Sequence, residues 1–527
     1  MIEKYIKEGI VDAITMPQAL DIWAGKYDDR IALVDHNHRI TYKELQEKAR
    51  CMAGIFRKEG IGKKDNVIIW MNNRIEFFLT LFGLQYIGAR PVLLLPSHRE
   101  KELDVISRFC DVKAIITYGS ELGYPYTETV VTWMVDRAVK VFSFEEKKGA
   151  IHLNSEGVDA SKCSFETEDV NEPTDIALFL LSGGTTGIPK LIPKKHAAYL
   201  YNAKCTAIRC AVTRESVYMA TLSIAHDYPL CCPGVIGTLM NGGKCVLSMT
   251  AGFDEIADWV KEERVTFTQI APAIAGVWVE CMEWEEDIDF SSLKYVIVGA
   301  SRLEYKLAMD IEEKLGAEII QGYGLGEGIT CFTSPGERKE IAWKCQGKPV
   351  SEYDEVRIVD EDGNAVGIMQ EGELIQKGPY TFEGYYHAEE LNQQAFTKDG
   401  FFRTGDKAMV TEEGNIVILG RVREQINRAG ENVIPSEIEE YIKKVSGIKD
   451  AVVIGLPDED LGEKICAVLI VEERKVEIDE LRTALTTMGL AGFKLPDCIY
   501  YVSSFPLINV GKVDKRLLKE NILKQVG

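Results

Sequence analysis

Short apolar runs alternate with amphipathic stretches along most of the chain. The run "NVIIW", residues 66–70, is followed by the helix-like "RIEFFLTLFGLQYIGA" and then by "RPVLLL". The same order returns from residue 242 onward in "GGKCVLS", "VTFTQIAP", "LKYVIVGA" and "EIIQGYG". Because strands that alternate with helices usually form a parallel sheet, this pattern predicts parallel α/β subdomains.

The pattern changes toward the C-terminus. Between about residues 347 and 419, short strands and turns such as "DEVRIVDEDGNAV" and "GNIVILG" predict a small antiparallel β region. After "GRVREQINRAGENV" the chain resumes with a helix, "IPSEIEEYIKKV", and two strands, "DAVVIGLPD" and "KICAVLIV". We therefore predict an α/β protein with a large N-terminal domain, residues 1–422, and a small, mobile α+β C-terminal domain, residues 423–527.

Length and charge narrow the class of protein. A chain of 527 residues exceeds what one hydrophobic core usually supports, which agrees with more than one domain. The 61 basic and 82 acidic residues give a net charge of −21, so neither nucleic acid nor a membrane is an expected partner. The N-terminus has no secretory signal pattern, which predicts a cytoplasmic protein. The 13 cysteines include no CxxC pair, so no zinc site is expected.

The stretch "LFLLSGGTTGIPK", residues 178–190, carries the first candidate chemistry. An apolar run that predicts a buried strand leads directly into small and hydroxylated residues, a proline and a lysine. Backbone N–H groups in such a turn bind anions, and hydroxyls with a lysine complete a phosphate cradle. It is not the common P-loop, since Leu191 rather than Ser or Thr follows the lysine. The predicted cradle consists of Ser182, Gly183, Gly184, Thr185, Thr186, Gly187 and Lys190.

This loop resembles the signature loop of the adenylate-forming enzymes, which include acyl- and aryl-CoA ligases, luciferases and adenylation domains of nonribosomal peptide synthetases. Four further stretches resemble the motifs of that superfamily in the same order: "GYGLGEG", "FFRTGD", "GRVREQINRAGENVIPSEIE" and "GKVDK". The resemblance spans roughly residues 40–518. Five motifs in one order are far more specific than any one of them.

The resemblance implies ATP and Mg²⁺ as cofactors and a reaction in which a carboxylate attacks the α-phosphorus of ATP and expels pyrophosphate. Negative charge accumulates on the phosphate oxygens, so such a site needs cations and N–H donors. The implied catalytic residues are Lys512, at the α-phosphate, and Glu327, as the Mg²⁺ ligand. The implied remaining ATP contacts are Asp406 and Arg421 at the ribose, Tyr323 at the adenine, and Gly299 and Ala300.

The same resemblance implies a second step in which the C-terminal domain rotates and a thiol attacks the adenylate. The hinge position of the family falls on Arg423, and the thiol tunnel of the rotated domain falls near Gly430. One departure from the family pattern is Gly326, where threonine or alanine usually precedes the glutamate; we expect adenylation to survive it.

The stretch "SIAHDYPLCCPG", residues 223–234, resembles the stand-alone 2,3-dihydroxybenzoate–AMP and salicylate–AMP ligases. "QGKPVSEYDEVRIVD" and "GPYTFEGYY" are similar to the same subgroup. The implied substrate is an aryl acid. The implied pocket residues are His226, which we also group with the catalytic residues, Asp227, Tyr228, Cys232, Gly322 and Thr330. Tyr228 could equally belong to the core.

Three of these positions depart from the dihydroxybenzoate pattern. Asp227 stands where the subgroup has an asparagine. An ionised carboxylate only accepts hydrogen bonds, so it favours a substrate with a hydrogen-bond donor at the ortho position, and an amine more than a hydroxyl. Cys232 replaces a serine, as in salicylate activators, which argues against a 3-hydroxyl group. Gly322 replaces a bulkier residue and is expected to widen the pocket. The open candidates are salicylate, 2,3-dihydroxybenzoate and an aminobenzoate such as anthranilate.

No carrier segment follows the small domain in this sequence, so we expect the acceptor thiol to arrive in trans. The subgroup resemblance favours the phosphopantetheine of an aryl carrier protein. An aryl-CoA ligase that uses free CoA is the alternative enzyme. A catalytically inactive nucleotide-binding regulator is the alternative from another class, and it would bind ATP without releasing pyrophosphate.

Overall fold

The structure is a computed structural model. It describes residues 1–134, 137–154, 170–182, 190–284, 288–301, 303–422, 426–428, 431–458, 461–472, 474–488, 490, 492–508 and 512–526. The chain forms two compact units: the first contains Met1–Glu355 and Gln376–Phe402, and the second contains Val356–Ile375 and Arg403–Gly527. The predicted boundary between residues 422 and 423 stays a prediction.

The strands of the first 350 residues are β1 (Ile31–Val34), β2 (Arg39–Thr41), β3 (Asn66–Trp70), β4 (Arg90–Leu93), β5 (Val112–Thr117), β6 (Lys140–Ser143), β7 (Ile151–His152), β8 (Ile176–Ser182), β9 (Lys190–Lys195), β10 (Val217–Ala220), β11 (Lys244–Leu247), β12 (Phe267–Ile270), β13 (Tyr295–Val298), β14 (Glu318–Gly324), β15 (Thr330–Phe332) and β16 (Lys348–Pro349). The later strands are β17 (Glu355–Val359), β18 (Gly372–Lys377), β19 (Phe402–Val410), β20 (Ile416–Arg421), β21 (Ile426–Arg428), β22 (Glu431–Val433), β23 (Ile448–Asp458), β24 (Gly462–Val471), β25 (Cys498–Tyr501), β26 (Leu507–Ile508) and β27 (Lys512–Val513).

The helices are α1 (Ile2–Lys7), α2 (Met16–Tyr27), α3 (Tyr42–Lys58), α4 (Ile75–Tyr86), α5 (Glu100–Phe109), α6 (Tyr126–Trp133), α7 (His196–Arg209), α8 (Asp227–Cys231), α9 (Gly234–Met240), α10 (Phe253–Glu263), α11 (Pro272–Cys281), α12 (Tyr305–Leu315), α13 (Lys339–Ala342), α14 (Glu389–Ala395), α15 (Pro435–Ile442), α16 (Ile478–Thr487) and α17 (Lys515–Val526). A short 3₁₀ helix covers Gly492–Lys494.

Two large sheets form the first unit, within the part of the chain that is described. The nine-stranded sheet has the order β16-β15-β14-β13-β12-β10-β11-β1-β2, and the seven-stranded sheet has the order β7-β6-β5-β3-β4-β8-β9. The pairs β13/β14, β12/β13, β3/β4 and β3/β5 are parallel. The strands and the connecting helices therefore confirm the predicted parallel α/β architecture.

Local sequence explains why these elements form where they do. Thr41 is the N-cap of helix α3: its side chain accepts from the backbone N–H of Glu44 while the Glu44 side chain accepts from the backbone N–H of Thr41, a complete capping box. Helix α4 is buried along its whole length, as its nearly continuous apolar sequence requires. Strand β3 is likewise buried at every residue, as expected when helices cover both faces of a parallel sheet.

The edges of the two sheets differ from the parallel pattern. Strand β9 pairs antiparallel with β8, so Lys190 opens a returning strand opposite Ser182 rather than ending a loop. Strands β15 and β16 are also antiparallel to their neighbours. The returns β15 and β16 are hard to separate from loops by periodicity alone, because strands of three and two residues show too little alternation.

The second unit contains the smaller sheets. Strands β17-β18-β19-β20 form a four-stranded sheet in which β19 and β20 are antiparallel, which confirms the predicted antiparallel region. The order β22-β21-β24-β23, with β25 beside β24, forms the sheet of the C-terminal α+β unit. Helix α14, which belongs to the first unit, lies within the region that the sequence predicted as strands and turns; most of its residues are polar and none is buried.

None of the helices in the described ranges combines the length and the hydropathy needed to cross a bilayer. The strands β10, β12, β13 and β14 run parallel, so their carboxyl ends meet along one edge of the nine-stranded sheet. Ligands of open α/β sheets usually bind at that edge. The segments with the predicted pocket residues leave the sheet there.

Candidate active site

One buried amide fixes the segment that leads from β10 into the predicted pocket. Asn73, which follows β3 in the seven-stranded sheet, donates from Nδ2 to the carbonyls of Ala220 and Leu222 at 3.1 and 2.9 Å. Its Oδ1 accepts from the backbone N–H of Ile224 at 2.9 Å. Asn73 is buried. The amide thus joins the two sheets and supplies partners for a loop that would otherwise lack them.

The turn that follows carries His226 and Asp227. His226 is the N-cap of α8, and its Nδ1 accepts from the backbone N–H of Tyr228 at 3.2 Å. Burial lowers the pKa of His226, and the neighbouring Asp227 carboxylate opposes that shift only in part. The imidazole is therefore neutral at pH 7, as an N-cap that accepts a hydrogen bond must be.

Asp227 lies beside a buried lysine that the sequence analysis did not single out. Its Oδ2 is 4.0 Å from Nζ of Lys194, and the two side chains are 10% and 3% exposed. The Lys194 ammonium donates to the carbonyl of Gly326 at 2.8 Å. Since Gly326 directly precedes Glu327, Lys194 connects the predicted acid pocket to the predicted magnesium loop.

Further hydrogen bonds hold the rest of the turn. Gln269 on β12 donates from Nε2 to the carbonyls of Tyr228 and Cys232, at 3.2 and 2.6 Å. The Cys232 Sγ accepts from Nδ2 of Asn202 on α7 at 3.3 Å. The hydroxyl of Tyr228 donates to the carbonyl of Ile297 at 3.0 Å. Tyr228 thus anchors the turn to β13.

The structure brings Tyr228, Gly299 and Gly322 together. A β-carbon at Gly299 would lie 3.1 Å from Cζ of Tyr228 and 3.2 Å from the carbonyl oxygen of Gly322. Glycine therefore lets the end of β13 approach both. The next residue, Ala300, has a φ of +69°, a conformation that costs free energy in any residue other than glycine.

The expectation that Gly322 widens the pocket is wrong. A β-carbon at this position would lie 2.1 Å from Cε1 of Phe332, the residue opposite it in the β14/β15 register. The buried ring of Phe332 occupies the space that the glycine leaves.

Glu327 has a specific partner that the sequence analysis also missed. The hydroxyl of Tyr385 donates to its Oε1 at 2.7 Å, and both residues are buried. Asn392 holds the backbone of Tyr385 on both sides, because its Oδ1 accepts from the N–H at 2.7 Å and its Nδ2 donates to the carbonyl at 2.9 Å. The ammonium of Lys190 lies 5.5 Å from the centre of the Tyr385 ring. The predicted phosphate lysine and the predicted magnesium carboxylate therefore meet on one tyrosine.

Thr330 lies on β15, where a partly buried carboxyl, that of Asp354, supports it through Tyr380. The backbone N–H of Thr330 donates to the Tyr380 hydroxyl at 3.3 Å. The Tyr380 hydroxyl in turn donates to Oδ2 of Asp354 at 2.5 Å. The same oxygen accepts from the N–H of Ser351 at 3.2 Å. Burial raises the pKa of Asp354 to about 7, although the Tyr380 hydrogen bond and the Arg209 charge act in the other direction.

The other residues that the sequence predicts to contact ATP are described unit by unit. Tyr323 is on β14 of the first unit, opposite Cys331. In the second unit Asp406 is buried, and its Oδ1 accepts from Nε of Arg421 at 2.9 Å across the β19/β20 pair. Lys512 begins β27, opposite Ile508, and its side chain is exposed.

Part of the predicted site lies outside the described residues. This holds for Gly183, Gly184, Thr185, Thr186 and Gly187 of the phosphate loop, for the hinge residue Arg423 and for Gly430. Ser182 is described only as the last residue of β8. Their assigned roles stay predictions.

Two of the missed residues had no usable signal in the sequence, while one had a weak signal. Lys194 stands in "PKK" like a solvated strand lysine, and Asn73 is one polar residue among many. Tyr385, by contrast, belongs to "GPYTFEGYY", which resembles the aryl-acid subgroup. Pairing that motif with the glutamate needed the three-dimensional structure.

These sites lie in a chain that belongs to the AMP-binding enzyme family. The model of that family matches residues 20–386, and the model of the AMP-binding enzyme C-terminal domain matches residues 437–512. The protein is therefore an adenylate-forming ligase that uses ATP.

Relatives match over nearly the whole chain. Pyochelin synthase PchD of Pseudomonas aeruginosa is 37% identical over 100% of this chain and 95% of its own length. The 2,3-dihydroxybenzoate-AMP ligase of Bacillus subtilis is 36% identical over 99% of this chain and 96% of its own. The apo structure of Mycobacterium smegmatis MbtA is 33% identical, with a TM-score of 0.73, over 98% of this chain and 97% of its own.

Tyr385→Phe tests the support of Glu327. The variant loses a hydrogen bond that orients the predicted Mg²⁺ ligand. The Mg²⁺ concentration that gives half the maximal rate of ATP–pyrophosphate exchange should therefore rise by roughly 10- to 100-fold. Binding of Mn²⁺ with ATP, followed by paramagnetic resonance, should weaken in parallel. Tyr386→Phe, one residue along, is the matched control. Equal Mg²⁺ dependence in both variants would remove Tyr385 from this role.

Asp354→Asn tests the raised pKa. The folded protein holds a proton on Asp354 that the unfolded chain releases near pH 4, so the contribution of this carboxyl to stability falls as the pH rises from about 4 to 7. The melting temperature of Asp354→Asn relative to the native protein should therefore rise between pH 5 and pH 8. Asp360→Asn is the control: this exposed carboxyl has a lowered pKa, because backbone N–H groups bond to it, and its difference should stay flat. If the melting temperatures of Asp354→Asn and of the native protein differ by the same amount from pH 5 to pH 8, the raised pKa of Asp354 is wrong.

Proposed function

We propose that this enzyme activates an aryl carboxylic acid with an ortho hydrogen-bond donor, such as salicylate or 2,3-dihydroxybenzoate, and transfers it to a thiol. The observation that carries the proposal is the buried Asp227, whose Oδ1 has no hydrogen-bond partner among the described residues. It lies at the carboxyl edge of the sheet, linked through Lys194 to the loop of Glu327. The name of the relative from Bacillus, a 2,3-dihydroxybenzoate-AMP ligase, supports the aryl-acid class.

In the first step an oxygen of the aryl carboxylate forms a bond to the α-phosphorus of ATP, and the bond to the pyrophosphate oxygen breaks. Lys190 and the loop after β8 hold the β- and γ-phosphates. Asp406, oriented by Arg421, accepts hydrogen bonds from the ribose hydroxyls. Lys512 offsets charge at the α-phosphate and the attacking oxygen. The aryl-adenylate and pyrophosphate are the products.

Glu327 fits the role of a Mg²⁺ ligand. Carboxylate oxygens suit this hard cation, and in ATP enzymes one or two carboxylates usually share it with phosphate oxygens. The Tyr385 hydroxyl occupies one oxygen of Glu327, so the carboxylate is oriented while the other oxygen stays available for coordination. When bound, the ion would neutralise charge on the phosphates.

The proposed second step passes the aryl group from the adenylate to the phosphopantetheine thiol of an aryl carrier protein, which releases AMP. Residues 1–422 form the adenylation core in this proposal, and residues 423–527 form the mobile domain that turns about Arg423 and brings Gly430 to the thiol path. Free CoA is the alternative acceptor. The supply of ATP and carrier protein places the reaction in the cytoplasm.

Carboxylate-dependent ATP–pyrophosphate exchange tests the substrate class. Salicylate and 2,3-dihydroxybenzoate should support exchange at least tenfold faster than benzoate, because only they donate to Asp227. Proline and a medium-chain fatty acid should not support exchange above background. Exchange with either of these alone would refute the aryl-acid pocket while leaving adenylation intact.

Arg423→Pro tests the hinge. Fixing φ should restrict rotation, so adenylate formation and thioester formation should change unequally, by at least tenfold in their ratio. Pyrophosphate exchange measures the first step, and transfer to a carrier protein or to CoA measures the second. Native rates for both steps would show that Arg423 is not the hinge.

A further inference from the structure

The two carboxylate oxygens of Asp227 have different surroundings. Oδ2 faces the Lys194 ammonium at 4.0 Å. Oδ1 is buried and, among the described residues, has no hydrogen bond of good geometry, although the buried hydroxyl of Tyr199 lies close to this carboxylate. A buried carboxylate oxygen without a donor is unfavourable unless a ligand supplies one. Lys194 therefore compensates one oxygen, and the other keeps the capacity to accept a hydrogen bond from a substrate.

Lys194 is held in a single position. It is 3% exposed, its Nζ donates to the carbonyl of Gly326 at 2.8 Å, and the ammonium lies 5.4 Å from the centre of the Tyr199 ring. Its neighbour Lys195 lies on the opposite face of the strand, where its ammonium pairs with the Glu383 carboxylate at 2.6 Å. The alternation of β9 thus separates an inward lysine from a surface lysine.

The other polar groups around Asp227 are neutral at pH 7. Burial lowers the pKa of His226. Burial raises the pKa values of Tyr199 and Cys231 well above their ordinary values, and the nearby Asp227 carboxylate raises both further. The amide of Asn202 on α7 carries no charge. Among the described residues of this turn and its neighbours, the charges are those of Asp227 and Lys194, and they cancel.

We propose that Lys194 is a specificity-determining residue of this pocket. This proposal rests on the function proposed above. Because Lys194 compensates Asp227, Oδ1 can accept a hydrogen bond from a neutral ortho hydroxyl, whereas a cationic ortho group meets attraction from one residue and repulsion from the other. The site therefore selects phenolic acids over acids with a charged amine. This reverses the order expected from Asp227 alone.

The test compares salicylate, benzoate and 2-(aminomethyl)benzoate, whose ortho group is cationic at pH 7. The readout is the ratio of kcat/KM in pyrophosphate exchange for salicylate over 2-(aminomethyl)benzoate. Lys194→Met should lower this ratio by about tenfold or more, because it leaves Asp227 uncompensated. Lys194→Arg keeps the charge and should keep the ratio. Lys195→Met is the matched control on the opposite face of the strand and should also keep it.

Asp227→Asn gives an effect of opposite sign. The amide oxygen still accepts from a hydroxyl, while the cationic substrate faces Lys194 without a counter-charge, so the ratio should rise. A residue that only stabilises the fold would not produce opposite shifts from the two members of the pair. Melting curves identify any variant that fails to fold, and if Lys194→Met is such a variant, Lys194→Gln and Asp227→Asn carry the test.

The outcomes separate the two proposals. If no aryl acid supports exchange in the native enzyme, the proposed function is wrong. If salicylate supports exchange but its ratio to the cationic acid is the same in Lys194→Met as in the native enzyme, only the role of Lys194 is wrong. The same holds if Lys195→Met shifts the ratio equally.

Discussion

The side-chain amide of Asn73 is the interaction on which the pocket depends most directly. It follows β3 of one sheet and bonds to three backbone groups at and just after the end of β10 in the other. Parallel strands end in loops whose backbone groups need partners, and a buried loop cannot obtain them from water. One amide supplies both donors and an acceptor. The turn with His226 and Asp227 starts from this fixed point.

From that point the site is built on matched polar pairs. Gln269 fixes two carbonyls of the turn, and Lys194 joins Asp227 to the carbonyl before Glu327. Tyr385 holds Glu327 while Asn392 holds Tyr385. Since breaking a buried pair costs more than the pair contributes, each of these contacts strongly constrains its neighbours. The predicted acid pocket and the loop of the carboxylate predicted to bind magnesium are therefore linked through one buried lysine.

Glycine and phenylalanine at paired positions show how a local reading of sequence goes wrong. Gly322 alone suggests empty space, yet Phe332 lies opposite it and fills that space. The register that joins these residues is a property of the β14/β15 pair. Spacing along the chain does not contain it, because a strand three residues long carries almost no periodic signal.

The sequence by itself determined the α/β class, the strand–helix order of the large sheets and, through five motifs in one order, the adenylate-forming chemistry. These follow from periodicity and from local loop composition, which are written in neighbouring residues. Only the tertiary structure decided that Lys194 faces Asp227, that Tyr385 reaches Glu327 and that Asn73 joins the sheets. Such contacts link residues 33, 58 and about 150 positions apart, and their energy comes from burial that no local pattern records.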